Sequence, residues 1–136
     1  MPIPSVGGGY QYNDGNVSET KISVQGAPAA LTATATVTTA QLLTGSIAGS
    51  PGGSAAAYTL PTVALLEATL TNAKIDSSFE FVIINIDGSG SGVITLTAGT
   101  GWTLVGLATV AATAGTAGQW RARKTGSGTW TAYRIS

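Results

Sequence analysis

The side chains that could carry out catalysis are few in this sequence. The 136 residues include six acidic residues, six basic residues, no histidine and no cysteine. A serine or cysteine nucleophile needs a base within hydrogen-bond reach, and histidine is the most common one. Any pair of catalytic carboxylates would have to come from six residues, namely Asp14, Glu19, Glu67, Asp76, Glu80 and Asp87. Glu80 lies between Phe79 and Phe81, and the alternation of a strand surface explains that pattern. We therefore predict that the protein is not an enzyme and has no catalytic residue.

The glycine-rich stretch Gly88–Gly92 does not fit a cofactor site. It follows a predicted strand and precedes another strand, whereas a dinucleotide fingerprint opens onto a helix whose N-terminus faces the phosphates. The stretch Asp87–Ser89 also lacks the spaced acidic ligands of a calcium loop. A turn is the simpler interpretation, and we predict no cofactor and no metal.

Charge is unusually scarce on this chain. Charged residues make up 9% of the sequence and the formal net charge is zero, whereas an average globular domain is about 25% charged. A small domain usually needs a net charge of about 2–8 to stay dispersed in solution. We predict that partner subunits cover part of the surface, in a homo-oligomer for which a trimer is favoured. The alternative is that hydroxyl groups and backbone solvate the surface well enough.

One basic cluster stands beside aromatic residues. Arg121, Arg123 and Lys124 follow Trp120, a combination that can stack single-stranded bases. The neutral overall charge argues against nucleic acid, and a solvated strand face or a contact with a partner subunit remains open. No apolar run approaches the roughly 18–20 residues of a membrane-spanning helix. We predict neither a nucleic acid nor a membrane as a partner.

The first thirty residues differ from the rest in the spacing of their proline and glycine residues. Proline and glycine recur at a density that breaks regular structure, and Gly7–Gly9 precede two tyrosines. We predict an extended N-terminal arm over residues 1–30 and a folded domain over residues 31–136. Within the arm, Tyr10, Tyr12 and Ile22 are the candidate anchors on a partner.

The domain itself has the pattern of short strands. Apolar residues and threonines alternate with period two, and glycines separate the alternating segments. One segment, Thr62–Ala73, instead predicts a helix capped by Thr62, with Val63, Leu66 and Leu70 on one face and Glu67 facing solvent. A shorter helical turn is possible at residues 39–43. We predict an all-β fold, a jelly-roll-like β-sandwich with one short α-helix, in which residues 79–86 and 93–97 form a hairpin.

Four blocks carry a resemblance to a known family. They are Thr39–Gly45, Ala57–Pro61 leading into the helix, Ser78–Asn85 and Ile94–Gly101. In this order they resemble small β-sandwich virion proteins of tailed bacteriophages, especially capsid decoration (cement) proteins. The resemblance implies a structural protein on the capsid surface of the virion that binds the major capsid protein and bridges its subunits.

The resemblance carries no functional residue over, so the expected contacts come from residue type alone. In the domain, Trp120 and Arg123 are the candidate partner contacts, because Trp and Arg often anchor interfaces. Trp102 is more typical of a core residue. The competing hypothesis is a receptor-binding or glycan-binding tip of a phage tail fibre, which would stack sugars on exposed aromatic rings.

Overall fold

The structure is a computed structural model that describes residues 24–87 and 89–136. The described residues form ten strands and two short helices. The helices are α1 (Thr39–Leu43) and α2 (Val63–Thr69). The strands are β1 (Ala29–Leu31), β2 (Ala35–Thr36), β3 (Ser46–Gly49), β4 (Ala56–Thr59), β5 (Ser78–Asn85), β6 (Ile94–Thr97), β7 (Trp102–Val105), β8 (Thr109–Val110), β9 (Thr116–Gly126) and β10 (Thr129–Arg134).

The strands form two mixed sheets, which confirms a predominantly β fold. The six-stranded sheet, here sheet A, has the order β1-β3-β5-β9-β10-β7, and the four-stranded sheet, sheet B, has the order β2-β4-β6-β8. The first six strands alternate between the sheets, so that β1, β3 and β5 run parallel in sheet A while β2, β4 and β6 run parallel in sheet B. Only β9 and β10 form a long antiparallel hairpin within the described residues.

This topology corrects two expectations. The predicted hairpin between residues 79–86 and 93–97 is wrong, because β5 belongs to sheet A and β6 to sheet B. A jelly roll is built from antiparallel strands, so the parallel pairs of the first six strands depart from that detail of the prediction. Alternation along a strand identifies its buried face but does not name the strand that pairs with it.

The helices are short and begin where hydroxyl side chains can cap them. In α1, the Oγ1 of Thr38 accepts a hydrogen bond from the Gln41 N–H at 3.2 Å, and the Gln41 side chain accepts one from the Thr38 N–H at 2.9 Å. In α2, Thr62 caps the helix as predicted. This helix ends at Thr69, four residues before the predicted end, because threonine and asparagine are weak helix formers. The described chain thus has two short helices rather than one.

The core draws residues from both sheets. Val63 and Leu66 of α2 are buried and Leu70 packs against the same core, as the helical spacing predicts. The apolar core also includes aromatic and aliphatic residues of both sheets, among them Ile47, Phe81, Ile83, Trp120 and Trp130 from sheet A and Tyr58, Ile94, Leu96 and Val110 from sheet B.

Buried polar groups tie the two sheets together. Tyr58 of sheet B places its hydroxyl 3.1 Å from the carbonyl oxygen of Leu31 in sheet A, and burial raises the pKa of the phenol. Asn85, at the end of β5, donates to the carbonyl oxygens of Gly92 and Ala111 at 2.8 and 3.0 Å. Each of these bonds crosses from sheet A to a strand of sheet B or to a loop beside it, and each pairs a polar side-chain atom that burial would otherwise leave without a partner.

Candidate interaction surfaces

The outer face of sheet B is built from threonines. Strand pairing aligns Thr36, Thr59 and Thr97 in one row across three parallel strands. The neighbouring row contains Thr95 and Thr109. These side chains are exposed or half-buried, because their neighbours along each strand point into the core. The four strands contain no charged residue, so this face presents hydroxyl and methyl groups only.

A groove continues this face beyond the carboxyl ends of β2, β4 and β6. Its volume is about 750 Å³, and seven of its fourteen lining residues are threonines, among them Thr36, Thr59 and Thr100. Leu65 of α2 forms part of one wall and is 59% exposed. The described residues that line the groove include no charged side chain. The sequence predicted the threonine strands, but not that three of them stand side by side, because alternation fixes no pairing order.

The outer face of sheet A differs, because ion pairs cross its β5–β9 half. Arg121 contacts Glu80 at 3.4 Å, and Arg123 contacts Asp76 at 2.6 Å. The Nε and Nη2 atoms of Arg123 also donate to the hydroxyl of Tyr133 at 3.2 and 2.9 Å. These hydrogen bonds, with that of Tyr133 the larger cause, raise the pKa of Arg123 above its ordinary value. Arg123 is therefore a charged surface residue that is already held by two partners within the chain.

The prediction that Trp120 lies on the surface and contacts a partner is wrong. It is 1% exposed, and its ring stacks on Phe81 with 5.7 Å between the ring centroids. The guanidinium of Arg134 covers the ring at 4.7 Å and donates to the carbonyl oxygens of Leu107 and Thr109. Trp102 is a core residue as expected, and its Nε1 donates to the carbonyl oxygen of Pro61 at 2.7 Å.

The expectation that Glu67 faces solvent is also wrong. Its Oε1 lies 3.0 Å from the Nζ of Lys124 on β9, and the carboxylate accepts hydrogen bonds from the Gly128 N–H and the Trp130 Nε1. The bond from Lys124, the largest cause, lowers the pKa of Glu67 below its ordinary value. The sequence held a signal for this, because Glu67 follows Val63 by four residues and so shares the face that Val63 buries.

The candidate arm residues cannot be placed in the fold. Tyr10, Tyr12 and Ile22 lie outside the described residues, and their predicted contacts stay predictions. Ser18 and Lys21 have the Ser-x-x-Lys spacing, in which a lysine can serve as the base for a serine nucleophile. Both residues lie outside the described residues as well.

Residues 24–87 and 89–136 contain no group of three acidic, histidine or cysteine residues that could hold a metal ion. Every buried side-chain polar atom in the same residues has a hydrogen-bond partner. Neither of the two helices is long and apolar enough to span a membrane.

Among the described residues, the candidate surfaces are the uncharged threonine face with its groove and the ion-paired face of sheet A. No protein-family model matches the chain, and no curated protein sequence or solved structure matches it with significance.

Proposed function

We propose that this chain is a structural virion protein, a decoration protein that binds the outside of a phage capsid and bridges its major capsid subunits. The observation that carries the proposal is the uncharged threonine face of sheet B, together with the groove that extends it. In this proposal the protein works by binding, as a homo-oligomer for which a trimer is favoured, and needs no cofactor.

The proposal includes a β-sandwich as the finer description of the fold. A Cβ atom added to Gly49 of sheet A would lie 2.5 Å from the Cδ1 of Ile94 and 2.9 Å from the hydroxyl of Tyr58, both in sheet B. So close an approach favours two sheets packed face to face around the shared core. In a sandwich the inner faces are filled, and the outer faces remain for partners.

The chemistry of the threonine face suits a protein surface as its partner. The buried centre of a protein–protein interface is depleted in charged residues, and burying an unpaired charge costs free energy. On the sheet B face, a partner would have to desolvate hydroxyl and methyl groups only. Threonine also has little side-chain freedom to lose, since it is branched at Cβ.

If the partner is a capsid, a small interface on each copy is enough for stable attachment to the particle. A shell presents many equivalent sites, and linked copies bind with an avidity that exceeds the affinity of one site. Association into a closed symmetric oligomer would also cover part of the surface of the chain. The charged residues that the structure describes lie outside the strands of sheet B. A tail-fibre tip, the competing hypothesis, would instead be present in few copies on each particle.

The test places one charge on each of two faces. Thr59→Lys introduces a lysine in the middle of the threonine face, and Gln119→Lys introduces the same charge on the outer face of sheet A, at a half-buried position. Co-sedimentation with phage particles that lack the protein measures binding of each variant. We expect Thr59→Lys to weaken binding by about tenfold or more and Gln119→Lys to bind like the unaltered chain.

Two results would contradict the proposal. One is equal binding of both variants, which would remove the threonine face from the interface. The other is a copy number of only a few per particle, determined from the purified virion, which would favour the tail-fibre tip over the capsid shell.

A further inference from the structure

The two sheets end in four edge strands, namely β1 and β7 in sheet A and β2 and β8 in sheet B. The outer edge of such a strand presents backbone N–H and C=O groups that can pair with another strand, and folded proteins usually protect it. β1 has three residues and β2 has two, and very short edge strands are poor templates for pairing. The edges that remain are those of β8 and β7.

Side chains of sheet A close the outer edge of β8. The carbonyl oxygen of Ala108 accepts a hydrogen bond from β6 at 2.8 Å, so the alternate carbonyl groups point away from β6. These outward carbonyl groups belong to Leu107, Thr109 and Ala111. Arg134 donates to the first two at 3.1 and 2.9 Å, and Asn85 and Thr116 donate to the third at 3.0 and 2.8 Å. Every outward carbonyl from residue 107 to residue 111 is thus already bonded within the chain.

The outer edge of β7 has no such cover among the described residues. The Trp130 N–H donates to the carbonyl oxygen of Gly101 at 3.0 Å, so the backbone groups of Thr103 and Val105 also face β10 and those of Leu104 face away. In the part of the chain that the structure describes, neither the N–H nor the C=O of Leu104 has a hydrogen-bond partner. The edge is therefore open at its centre.

The β7 edge also lacks the side chains that usually prevent pairing. No charged residue and no proline occurs between Asp87 and Arg121 in the sequence, whereas lysine and proline are common protection on an exposed edge. Thr103 and Val105 are exposed on the outer face of the strand, and β-branched side chains of this kind favour contacts across a strand pair. β7 is thus the edge of this fold that can best accept a further strand.

The free groups on β7 complement themselves. In an antiparallel pair centred on Leu104, its N–H and C=O would bond to the C=O and N–H of the same residue in a second copy. The Gly106 N–H points opposite to the Val105 C=O in one peptide plane, so it faces the open edge and would reach the Trp102 C=O of that copy. An uncharged strand also meets no like-charge repulsion when it pairs with itself. These groups favour a second copy of the chain as the occupant.

We propose that β7 pairs with the β7 strand of a second copy, antiparallel and centred on Leu104, so that sheet A continues from one copy into the next. Thr103 of each copy then lies opposite Val105 of the other in a pair without backbone hydrogen bonds, where the Cα atoms are about 4.5 Å apart. A twofold contact joins chains in pairs, so it is separate from the contact that a trimer needs. The inference goes beyond the proposed capsid function and does not depend on it.

Cysteine cross-linking tests the register directly, because the chain has no cysteine of its own. Full-length Thr103→Cys chains and Val105→Cys chains are mixed and oxidised, and mass spectrometry identifies the linked pairs. We expect links between the two kinds of chain, because a disulfide joins Cα atoms about 4.4–6.8 Å apart. Links between chains of the same kind should be fewer, since those diagonal positions are about 7–8 Å apart.

Sedimentation equilibrium of the isolated full chain measures the strength of pairing. Val105→Lys places a lysine on the open edge, and we expect it to raise the dimer dissociation constant by about tenfold or more. Ile75→Lys is the matched control, because it adds the same charge at an aliphatic residue that is 64% exposed in the loop between α2 and β5. We expect this control to pair like the unaltered chain.

A third variant removes a backbone group instead of adding a charge. Leu104→Pro deletes the N–H at the centre of the proposed pair, whereas the backbone groups that face β10 remain. We expect it to abolish pairing. Far-ultraviolet circular dichroism verifies that the variant is folded, and if it is not, Val105→Lys and the cross-links decide the question.

Three outcomes would overturn the proposal. The first is an isolated chain that sediments as a monomer throughout the micromolar range. The second is an oligomer that Val105→Lys and Ile75→Lys affect equally, which would place the contact on another surface. The third is cross-linking of like chains as often as of unlike chains, which would exclude this register. All three are measured without phage particles, so they bear on this pairing and not on the capsid function, which the co-sedimentation of Thr59→Lys addresses.

Discussion

Two regions of this protein both contribute buried side chains to the core, but their strands are connected in different ways. The wound region comprises β1–β6, whose consecutive strands alternate between the sheets, and the hairpin region comprises β7, β9 and β10 of sheet A. In the hairpin region, Ala122 pairs with Ala132 across one tight connection. In the wound region, Tyr58 pairs with Leu96, and α2 and β5 lie between them in the chain. The β9–β10 pair is therefore local, whereas the strand pairs of the wound region join distant segments.

The interiors of the two regions differ in the same way. The hairpin region packs on aromatic rings, with Trp130 lying 5.7 Å from Phe79 and 6.0 Å from Trp102 between ring centroids. The wound region brings its sheets together at Gly49 and joins them through Tyr58 and Asn85. Replacing a large buried ring by a small side chain leaves a cavity and lowers stability. Where atoms are already closely spaced, as at Gly49, an added side chain lowers stability instead. The two regions should therefore respond to opposite kinds of substitution.

The largest effect is expected from removing volume in the hairpin region. Trp120→Ala takes away a ring that is 1% exposed and stacked on Phe81, and a substitution of this kind costs about 3–5 kcal/mol of unfolding free energy. Urea denaturation measures the loss. Arg121→Ala, on the exposed side of the same strand, is the matched control and should change stability by about 0.5 kcal/mol or less. Equal effects of the two substitutions would mean that the rings do not hold this region.

Adding volume should damage the wound region instead. A Cβ at Gly99 would lie 2.2 Å from the backbone oxygen of Leu60, so Gly99→Ala forces two backbones apart and should cost about 3 kcal/mol, the upper part of the usual range for overpacking. Gly53→Ala is the control, because its added Cβ would lie 3.9 Å from the nearest neighbouring atoms, which belong to Ser89. Thermal denaturation that does not distinguish the two variants would contradict the close approach of the backbones.

A smaller loss is expected from breaking one polar tie between the sheets. Asn85→Ala removes the donor that serves the carbonyl oxygens of Gly92 and Ala111. The Ala111 oxygen keeps the hydrogen bond from the Thr116 hydroxyl at 2.8 Å, whereas the buried Gly92 oxygen loses its bond from Asn85, at a cost of about 2 kcal/mol. Hydrogen exchange should show the loss first in β6 and β8. Uniform loosening of the whole chain, with the hairpin region affected equally, would argue against separate regions.

The smallest effect concerns the contact between α2 and the hairpin region. Because the folded state lowers the pKa of Glu67 from its ordinary value of 4.5, the carboxylate adds stability above that pH. This contribution is lost as the pH falls through the lowered value. Glu67→Gln should therefore reduce the melting temperature near neutral pH by a few degrees and flatten its decline below about pH 4.5. Glu80→Gln, at an exposed ion pair, should leave that decline in place, and an unchanged acid profile for Glu67→Gln would exclude the assignment.

Residue patterns along the chain predicted the elements better than their arrangement. The alternation around Phe81 and Ile83 located β5, and the spacing of Val63, Leu66 and Leu70 located α2 with its cap at Thr62. These signals are local, because the period of buried residues depends only on the geometry of one element. For the same reason they could not show that β5 and β6 lie in different sheets.

The candidate surfaces divide in a similar way. The scarcity of charge and the runs of alternating threonine are properties of the sequence, and they indicated a protein that works by contact. The burial of Trp120 was decided by packing, since a tryptophan beside arginines fits an interface and a core equally well by residue type. The register that aligns Thr36, Thr59 and Thr97 arose only when strands from three distant segments paired.

The amino-acid sequence by itself determined which residues form strands and helices, which face of each is buried, and how little ionisable chemistry the chain possesses. Tertiary structure alone decided that the first six strands wind between two sheets, that Glu67 meets Lys124, and that separate threonines form one surface. The physical reason is range: backbone geometry and side-chain periodicity act over a few residues, whereas pairing order follows from the packing of the whole core.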